Sequence, residues 1–200
     1  MIDPTTLDDH AFAVWAAERA GTVLLDVRAG AQAEGLEGKA LKDAGDAAAQ
    51  AELDRILTEH RPDDAVLSEE AADDKSRLTA RRVWIIDPLD GTREFSEPPR
   101  EDWAVHVALW ARTGSGEGEL VAGAVAQPGL ATTFHTGEPP VVPERSSDRP
   151  RIAVSRTRPP AFVQAMAEEI GADLVPMGSA GAKVISVAQD LFNTLLQSFR

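Results

Sequence analysis

Residues 84–95 read Trp-Ile-Ile-Asp-Pro-Leu-Asp-Gly-Thr-Arg-Glu-Phe. A short apolar run, Trp84-Ile85-Ile86, ends on two carboxylates three positions apart, Asp87 and Asp90. Pro88 stands between them and Gly91-Thr92 follows. Two carboxylates at the mouth of a buried strand lose water and repel each other, so both stay ionised only beside positive charge. A hard divalent cation such as Mg2+ supplies that charge and prefers oxygen ligands. Pro88 stiffens the turn and aims the Leu89 carbonyl as a further oxygen donor. Gly91 lets the backbone approach a ligand closely. Thr92 adds a hydroxyl and an N–H, and a helix opening there would turn its first N–H groups toward an anion. Cation ligands beside anion-binding amides make a phosphate-handling site. A plain surface turn also uses Asp, Pro and Gly. Five specified residues in Asp-Pro-x-Asp-Gly-Thr, however, recur by chance in roughly one chain in ten thousand at usage of about 5% per residue type.

The overall charge bears on what such a site could serve. The chain carries a formal net charge of −13 and no cysteine. So acidic a surface repels nucleic-acid phosphates and anionic membranes, and neither is expected as a partner. An anionic small-molecule substrate is compatible only if cations or local arginines neutralise it. Zinc thiolates, disulfides and cysteine nucleophiles are excluded, and the composition fits a reducing, cytoplasmic location. No apolar run approaches the roughly 20 residues of a membrane span, and the acidic N-terminus lacks the marks of a signal peptide.

Periodicity places the motif in an α/β chain. Leu7, Phe12, Trp15, Val23 and Val27 recur near helical spacing, which predicts a helix from about Leu7 to Arg28 with Thr6 as N-cap. Gly30 to Gly45 reads as a polar loop, and a second helix is expected from about Asp46 to His60, stopped by Pro62. Strands follow at Ala65–Leu67, Arg82–Ile86, Trp103–Trp110, Leu120–Gln127 and Thr132–His135. Gly137 to Pro150 holds four prolines and is the expected domain boundary. Beyond it a strand over Arg151–Ser155, a helix over Pro160–Ile170, a strand over Leu174–Met177 and a helix over Ala182–Phe199 are expected. The plan is an α+β domain over residues 1–143, which holds the motif, and a βαβα piece over residues 151–200.

With Leu67-Ser-Glu-Glu70 closing the preceding strand, Asp-Pro-Leu-Asp-Gly-Thr resembles the paired motifs of the inositol monophosphatase superfamily. These are metal-dependent, lithium-sensitive phosphomonoesterases of layered αβαβα architecture. LSEEAADD (67–74), DPLDGTREFSEPPREDWAVHVALW (87–110) and RIAVSRTRPP (151–160) further resemble the actinobacterial CysQ-type branch. Its members are 3'(2'),5'-bisphosphate nucleotidases that remove a phosphate from adenosine 3',5'-bisphosphate in sulfur assimilation, and some accept inositol phosphates or fructose bisphosphate. The resemblance covers about residues 7 to 188.

The resemblance implies a small-molecule phosphomonoester substrate, two or three Mg2+ ions and a role for each motif residue. Glu69 would bind the first metal, with Glu70 at most behind it. Asp87 would bridge two metals, the Leu89 carbonyl would help bind the first, and Asp90 would bind the second. Thr92 would join an aspartate near the start of the second helix to activate water for in-line attack on phosphorus. That aspartate is Asp46 or Asp43, and a plain helix N-cap is an equally good reading of Asp46. The amides of Gly91 and Thr92 would face the equatorial oxygens. Gly178-Ser179-Ala-Gly-Ala-Lys183 resembles the family segment that opens a helix beside the substrate. Arg156, with Arg158, would meet the second phosphate of a bisphosphate nucleotide. His106 in its alternating strand, and Trp103 and Trp110, are expected to be structural.

One departure stands out. After Ser186-Val-Ala188 the family continues with a Gly-x-x-Asp strand and a Trp-Asp motif whose aspartate completes the second metal site. This sequence reads QDLFNTLLQSFR instead, and none of its tryptophans precedes an aspartate. Leu191, Phe192, Leu195, Leu196 and Phe199 fit an amphipathic helix. The expectation is a C-terminally truncated member with an incomplete second metal site and an exposed sheet edge. The alternatives are a 3'(2'),5'-bisphosphate nucleotidase, an inositol-1-phosphatase or broad sugar phosphatase, and a weak or inactive, non-enzymatic relic. Full-length relatives occur as dimers or monomers, so a homodimer remains open.

Overall fold

The computed structural model describes residues 3–114, 116–141, 149–188 and 194–195. The chain forms two compact units, Met1–Pro139 and Pro140–Arg200.

The first unit opens with two long helices, α1 (Asp9–Glu34) and α2 (Gly38–His60). Asp8, rather than Thr6, caps α1, its side chain accepting the Ala11 N–H at 2.8 Å. The expected Gly30–Gly45 loop is helical except for residues 35–37. Alanine-rich sequence on both sides sustains the helices through glycines that sequence reading takes for breakers. Strands follow as β1 (Ala65–Ser68), β2 (Arg82–Asp90), β3 (Ala104–Arg112), β4 (Gly118–Gln127) and β5 (Thr132–His135), with the one-turn helix α3 (Thr92–Phe95) after β2. They form one sheet in the order β1-β2-β3-β4-β5, parallel between β1 and β2 and antiparallel elsewhere.

Strand alternation sends Trp84 and Ile86, Val105, Val107 and Leu109, and Ala122, Ala124 and Ala126 into one core. There they join Phe12, Ala16, Ala20 and Leu24 of α1 and Leu53 and Ile56 of α2. The alanines on β4 and α1 leave room for the large rings, and Phe12 meets Trp84 at 5.1 Å between centroids. Trp103 is fully buried and packs edge-on against Phe95 at 5.2 Å, as expected of a structural residue.

The sheet is tied to α1 by an ion-pair network. Arg82 bridges Asp9 (2.7 Å) and Asp64 (2.9 Å), and Asp64 also accepts the Trp84 indole N–H at 2.9 Å. Replacing Arg82 with alanine would leave the nearly buried Asp64 carboxylate without its cation. The expected loss is about 2 kcal/mol of unfolding free energy, measurable by urea denaturation. Arg82→Lys should recover only part of it, because one ammonium cannot serve two carboxylates in fork geometry. A wild-type midpoint for Arg82→Ala would contradict the network's role.

The second unit contains β6 (Arg151–Ser155), α4 (Ala161–Ile170), β7 (Asp173–Met177), α5 (Ala180–Ala188) and β8 (Thr194–Leu195). Its sheet runs β7-β6-β8, all parallel. Ile152 and Val154 pack against Val163 and Ala167 of α4. The helix expected over Ala182–Phe199 is corrected. It begins earlier, at Ala180, and Thr194–Leu195 are extended, pairing with Ile152 and Ala153. A buried parallel strand such as β6 needs neighbours on both edges, and that demand overrides helical spacing there. Leu191, Phe192, Leu196 and Phe199 of the expected apolar stripe lie outside the described residues. Among the described residues, no helix is long and apolar enough to cross a membrane.

Candidate metal centre and phosphate site

Strand β2 runs on through the motif to Asp90, four residues past the expected end at Ile86. Alternation alone would send Asp87 and Asp90, three apart, to opposite faces of the sheet. The structure removes that conflict with a bulge. Asp87 pairs with His106 and Asp90 with Ala104, so β2 spends one residue more than β3 between the two pairs. His106 and Ala104 share a face, and the extra residue therefore brings Asp90 to the face of Asp87. Pro88 sits within the bulge, the one place where an interior strand tolerates a missing donor. The Asp87 side chain closes the turn by accepting the Leu89 N–H at 3.1 Å.

Gly91 then adopts φ 88°, ψ 38°, a left-handed conformation that swings the chain from β2 into α3. Thr92 heads that helix, and its hydroxyl donates to the Leu89 carbonyl at 3.1 Å. Glu69 lies beside Asp87 because its N–H continues the parallel pairing past β1, reaching the Ile86 carbonyl at 3.3 Å. Burial first, and then the charges of Asp90 and Glu69, push the Asp87 carboxyl well above the usual range.

Helix α2 supplies the next carboxylate. Ser68 Oγ donates to Gln50 Oε1 at 2.5 Å, fixing α2 over the end of β1. One turn earlier, on the same face, stands Asp46. It occupies the interior of α2, so the helix N-cap reading of Asp46 is overturned. Its Oδ1 is buried and has no hydrogen-bond partner. Burial, with the charges of Glu70, Asp43 and Glu69, raises its carboxyl from 3.8 to about 6. Asp43 instead points outward and pairs with Lys39. The Thr92 hydroxyl, which the resemblance would join with Asp46 or Asp43 in activating water, donates here to the Leu89 carbonyl.

His106 is the residue that sequence reading undervalued. Its Nε2 lies 3.0 Å from Asp90 Oδ2, and Asp87, Asp90 and His106 bring one ligand atom each within 4.8 Å of one another. Burial alone would lower the imidazole's affinity for protons. The Asp90 hydrogen bond and the charges of Asp90, Asp87 and Glu69 outweigh burial and raise it. Alternation in β3 indicates its face, but only the bulge in β2 reveals Asp90 as its partner.

The residues fit a hard cation. Asp87 and Asp90 bring carboxylate oxygens within 4.8 Å of each other and of His106, and the negative charge of Glu69 acts on both Asp87 and Asp46, an oxygen-rich and negatively charged setting that suits a hard cation.

The remaining expected residues belong to the second unit. Ser179 Oγ accepts the Ala182 N–H at 2.9 Å and so caps α5. Lys183 is buried and donates to the carbonyls of Gly178 (2.6 Å) and Ser179 (2.9 Å), clamping the turn that opens the helix. The Arg156 N–H bonds the Met177 carbonyl at 3.0 Å, and Arg158 is exposed.

Without a cation, the crowded Asp46 carboxyl opposes folding. It binds more protons folded than unfolded between pH 3.8 and about 6, so stability is lost as pH rises through that window. Asp46→Asn should therefore stabilise the metal-free protein by about 1 kcal/mol at pH 7, after allowance for solvent around a half-buried group. The gain should vanish below pH 4. Thermal melts at both pH values test this, and a destabilised Asp46→Asn at pH 7 would contradict it.

Comparison with known proteins identifies the family. The sequence model of the inositol monophosphatase family matches residues 8–198. The 3'-phosphoadenosine 5'-phosphate phosphatase of Mycobacterium tuberculosis (strain CDC 1551 / Oshkosh) is 45% identical over 182 residues, which is 90% of this chain and 67% of that protein. That of Mycobacterium leprae is 45% identical over 188 residues, 90% of this chain and 69% of that protein. The chain thus spans about two thirds of the length of these relatives. The crystal structure of inositol monophosphatase-II from Staphylococcus aureus MSSA476 superposes with a TM-score of 0.70 at 21% identity. The match takes in 92% of this chain and 72% of that one, and it speaks for the fold. By family model, by identity and by fold, this chain belongs to the inositol monophosphatase family.

Proposed function

We propose that this protein is a Mg2+-dependent phosphomonoesterase acting on 3'(2'),5'-bisphosphate nucleotides. Its foremost substrate would be 3'-phosphoadenosine 5'-phosphate, hydrolysed with one water to AMP and inorganic phosphate. The observation that carries this reading is the β2 bulge, which brings Asp87 and Asp90 to one sheet face with ligand atoms within 4.8 Å of each other and of His106, while the Glu69 N–H continues the pairing beside them. The 45% identity to phosphatases named for that substrate supports the choice of nucleotide.

The chain's own residues divide the work. Glu69, Asp87, Asp90 and the Leu89 carbonyl would hold the cations, and Asp87, between the other carboxylates, would serve more than one. When bound, Mg2+ neutralises the phosphoryl oxygens and acidifies the attacking water. Thr92 and Asp46 orient that water: the Thr92 hydroxyl, its proton committed to the Leu89 carbonyl, accepts from it. Asp46 takes the proton that the water loses as it attacks phosphorus, and burial suits it to do so near neutral pH. Gly91 and the first amide of α3 face the equatorial oxygens and stabilise charge as it spreads there.

Initial rates on 3'-phosphoadenosine 5'-phosphate and on inositol 1-phosphate, at saturating Mg2+, test the substrate. We expect kcat/KM to favour the nucleotide at least about tenfold, since its base and second phosphate add binding that the inositol ester lacks. Equal values would contradict the nucleotide assignment and leave a broad phosphatase.

A further inference from the structure

Both aspartates of the bulge meet a donor from this chain. Asp87 Oδ1 receives the Leu89 N–H at 3.1 Å. Asp90 Oδ2 lies 3.0 Å from His106 Nε2. The first donor belongs to the motif itself, whereas the second comes from a neighbouring strand. The β2–β3 register puts His106 directly across from Asp87 and one bulge away from Asp90, so the imidazole stands beside both carboxylates. Across its other edge, on β4, the register partner of His106 is Val125, which offers no polar side-chain group. The polar edge of the ring therefore works toward Asp90.

We propose that His106 is a positioning residue for the cation site: its Nε2–H holds the Asp90 carboxylate through Oδ2 and so fixes the orientation in which Asp90 would meet the cation. This rests on the reading of the site as a cation-dependent phosphatase centre. His106 does not ligate the cation. Its Nε2 proton is engaged by Asp90, and a hard cation takes oxygen in preference to imidazole nitrogen. A ligating carboxylate left to rotate binds less tightly than one locked by an outer hydrogen bond, and losing such a partner typically weakens metal binding 10- to 100-fold.

Direct Mn2+ binding, followed by electron paramagnetic resonance on the whole chain, tests this with wild type, His106→Ala, His106→Gln and Asp90→Asn. His106→Ala should weaken Mn2+ binding about 10- to 100-fold and raise the Mg2+ concentration for half-maximal rate by a similar factor. KM for 3'-phosphoadenosine 5'-phosphate at saturating Mg2+ should stay within about twofold of wild type, because the substrate is not touched. His106→Gln returns an N–H near the position of Nε2 and should recover binding to within about threefold. Wild-type affinity in His106→Ala, beside a weakened Asp90→Asn, would overturn the positioning role and leave the site standing. Wild-type affinity in Asp90→Asn as well would overturn both.

A second measurement needs no variant. In 15N–1H spectra of the wild-type imidazole, Nε2 should carry its proton before and after Mg2+ is added. Loss of that proton on adding Mg2+ would mean direct ligation by His106 and would overturn the proposal.

Discussion

Asp90→Asn is expected to lower kcat/KM for 3'-phosphoadenosine 5'-phosphate at least about a thousandfold. The substitution keeps the size of the side chain and removes one negative charge from the cation cradle. It also faces the His106 Nε2–H with an amide, whose oxygen is a poorer acceptor than a carboxylate. Because the apo site is crowded with like charge, the variant should melt no lower than wild type. Loss of rate without loss of stability is the signature of a removed ligand rather than a damaged fold. Phosphate release measured beside a thermal melt reads both quantities. A rate within tenfold of wild type would take Asp90 out of the site.

Gly45→Val should be nearly as damaging by a different route. Gly45 lies on α2 where the helix presses against the motif. A Cβ there would come within 2.5 Å of Phe95 Cε1 and 3.0 Å of Leu89 Cδ2. Phe95 is fully buried and packed edge-on against Trp103, so it has little room to yield. Leu89 is one of the two residues between the bulge aspartates. A valine therefore forces α2 outward, shifts Leu89 and moves Asp46, its immediate neighbour on the helix. Overpacking of this kind costs about 3 kcal/mol, or a drop in Tm of about 10 °C. Activity should fall at temperatures where the variant is still folded. Gly30→Ala in α1 is the matched control, since its Cβ meets nothing within 4 Å and should leave the Tm unchanged or slightly raised. A Gly45→Val protein with wild-type Tm would mean that the close approach is not needed.

Those two positions also show what can be read from sequence and what cannot. Asp87, Asp90 and Glu69 were legible because the motif fixes residue types at fixed spacing, and the strand before it is apolar. Their common face was not, because period-two alternation puts Asp87 and Asp90 on opposite sides. Only Pro88, a residue that interior strands reject, hints at the bulge that reverses this. Gly45 and Gly30 read alike, as breakers in a loop, yet one marks close packing and the other sits on a helix surface. Propensity cannot tell them apart because the difference lies in Phe95 and Leu89, some fifty residues away. His106 illustrates the same limit: alternation places it on a face, while its partner depends on register between two strands. Thr194–Leu195 show the reverse case, where helical spacing yields to the pairing needs of β6.

The most direct test is phosphate release from 3'-phosphoadenosine 5'-phosphate by the purified 200-residue chain, with and without Mg2+, alongside Asp87→Asn. In the proposed arrangement Asp87 would serve both cation positions, so its loss should remove the activity. The account predicts release that requires Mg2+ and falls at least about a thousandfold in Asp87→Asn. Release that persists without Mg2+, or that Asp87→Asn retains, would contradict it.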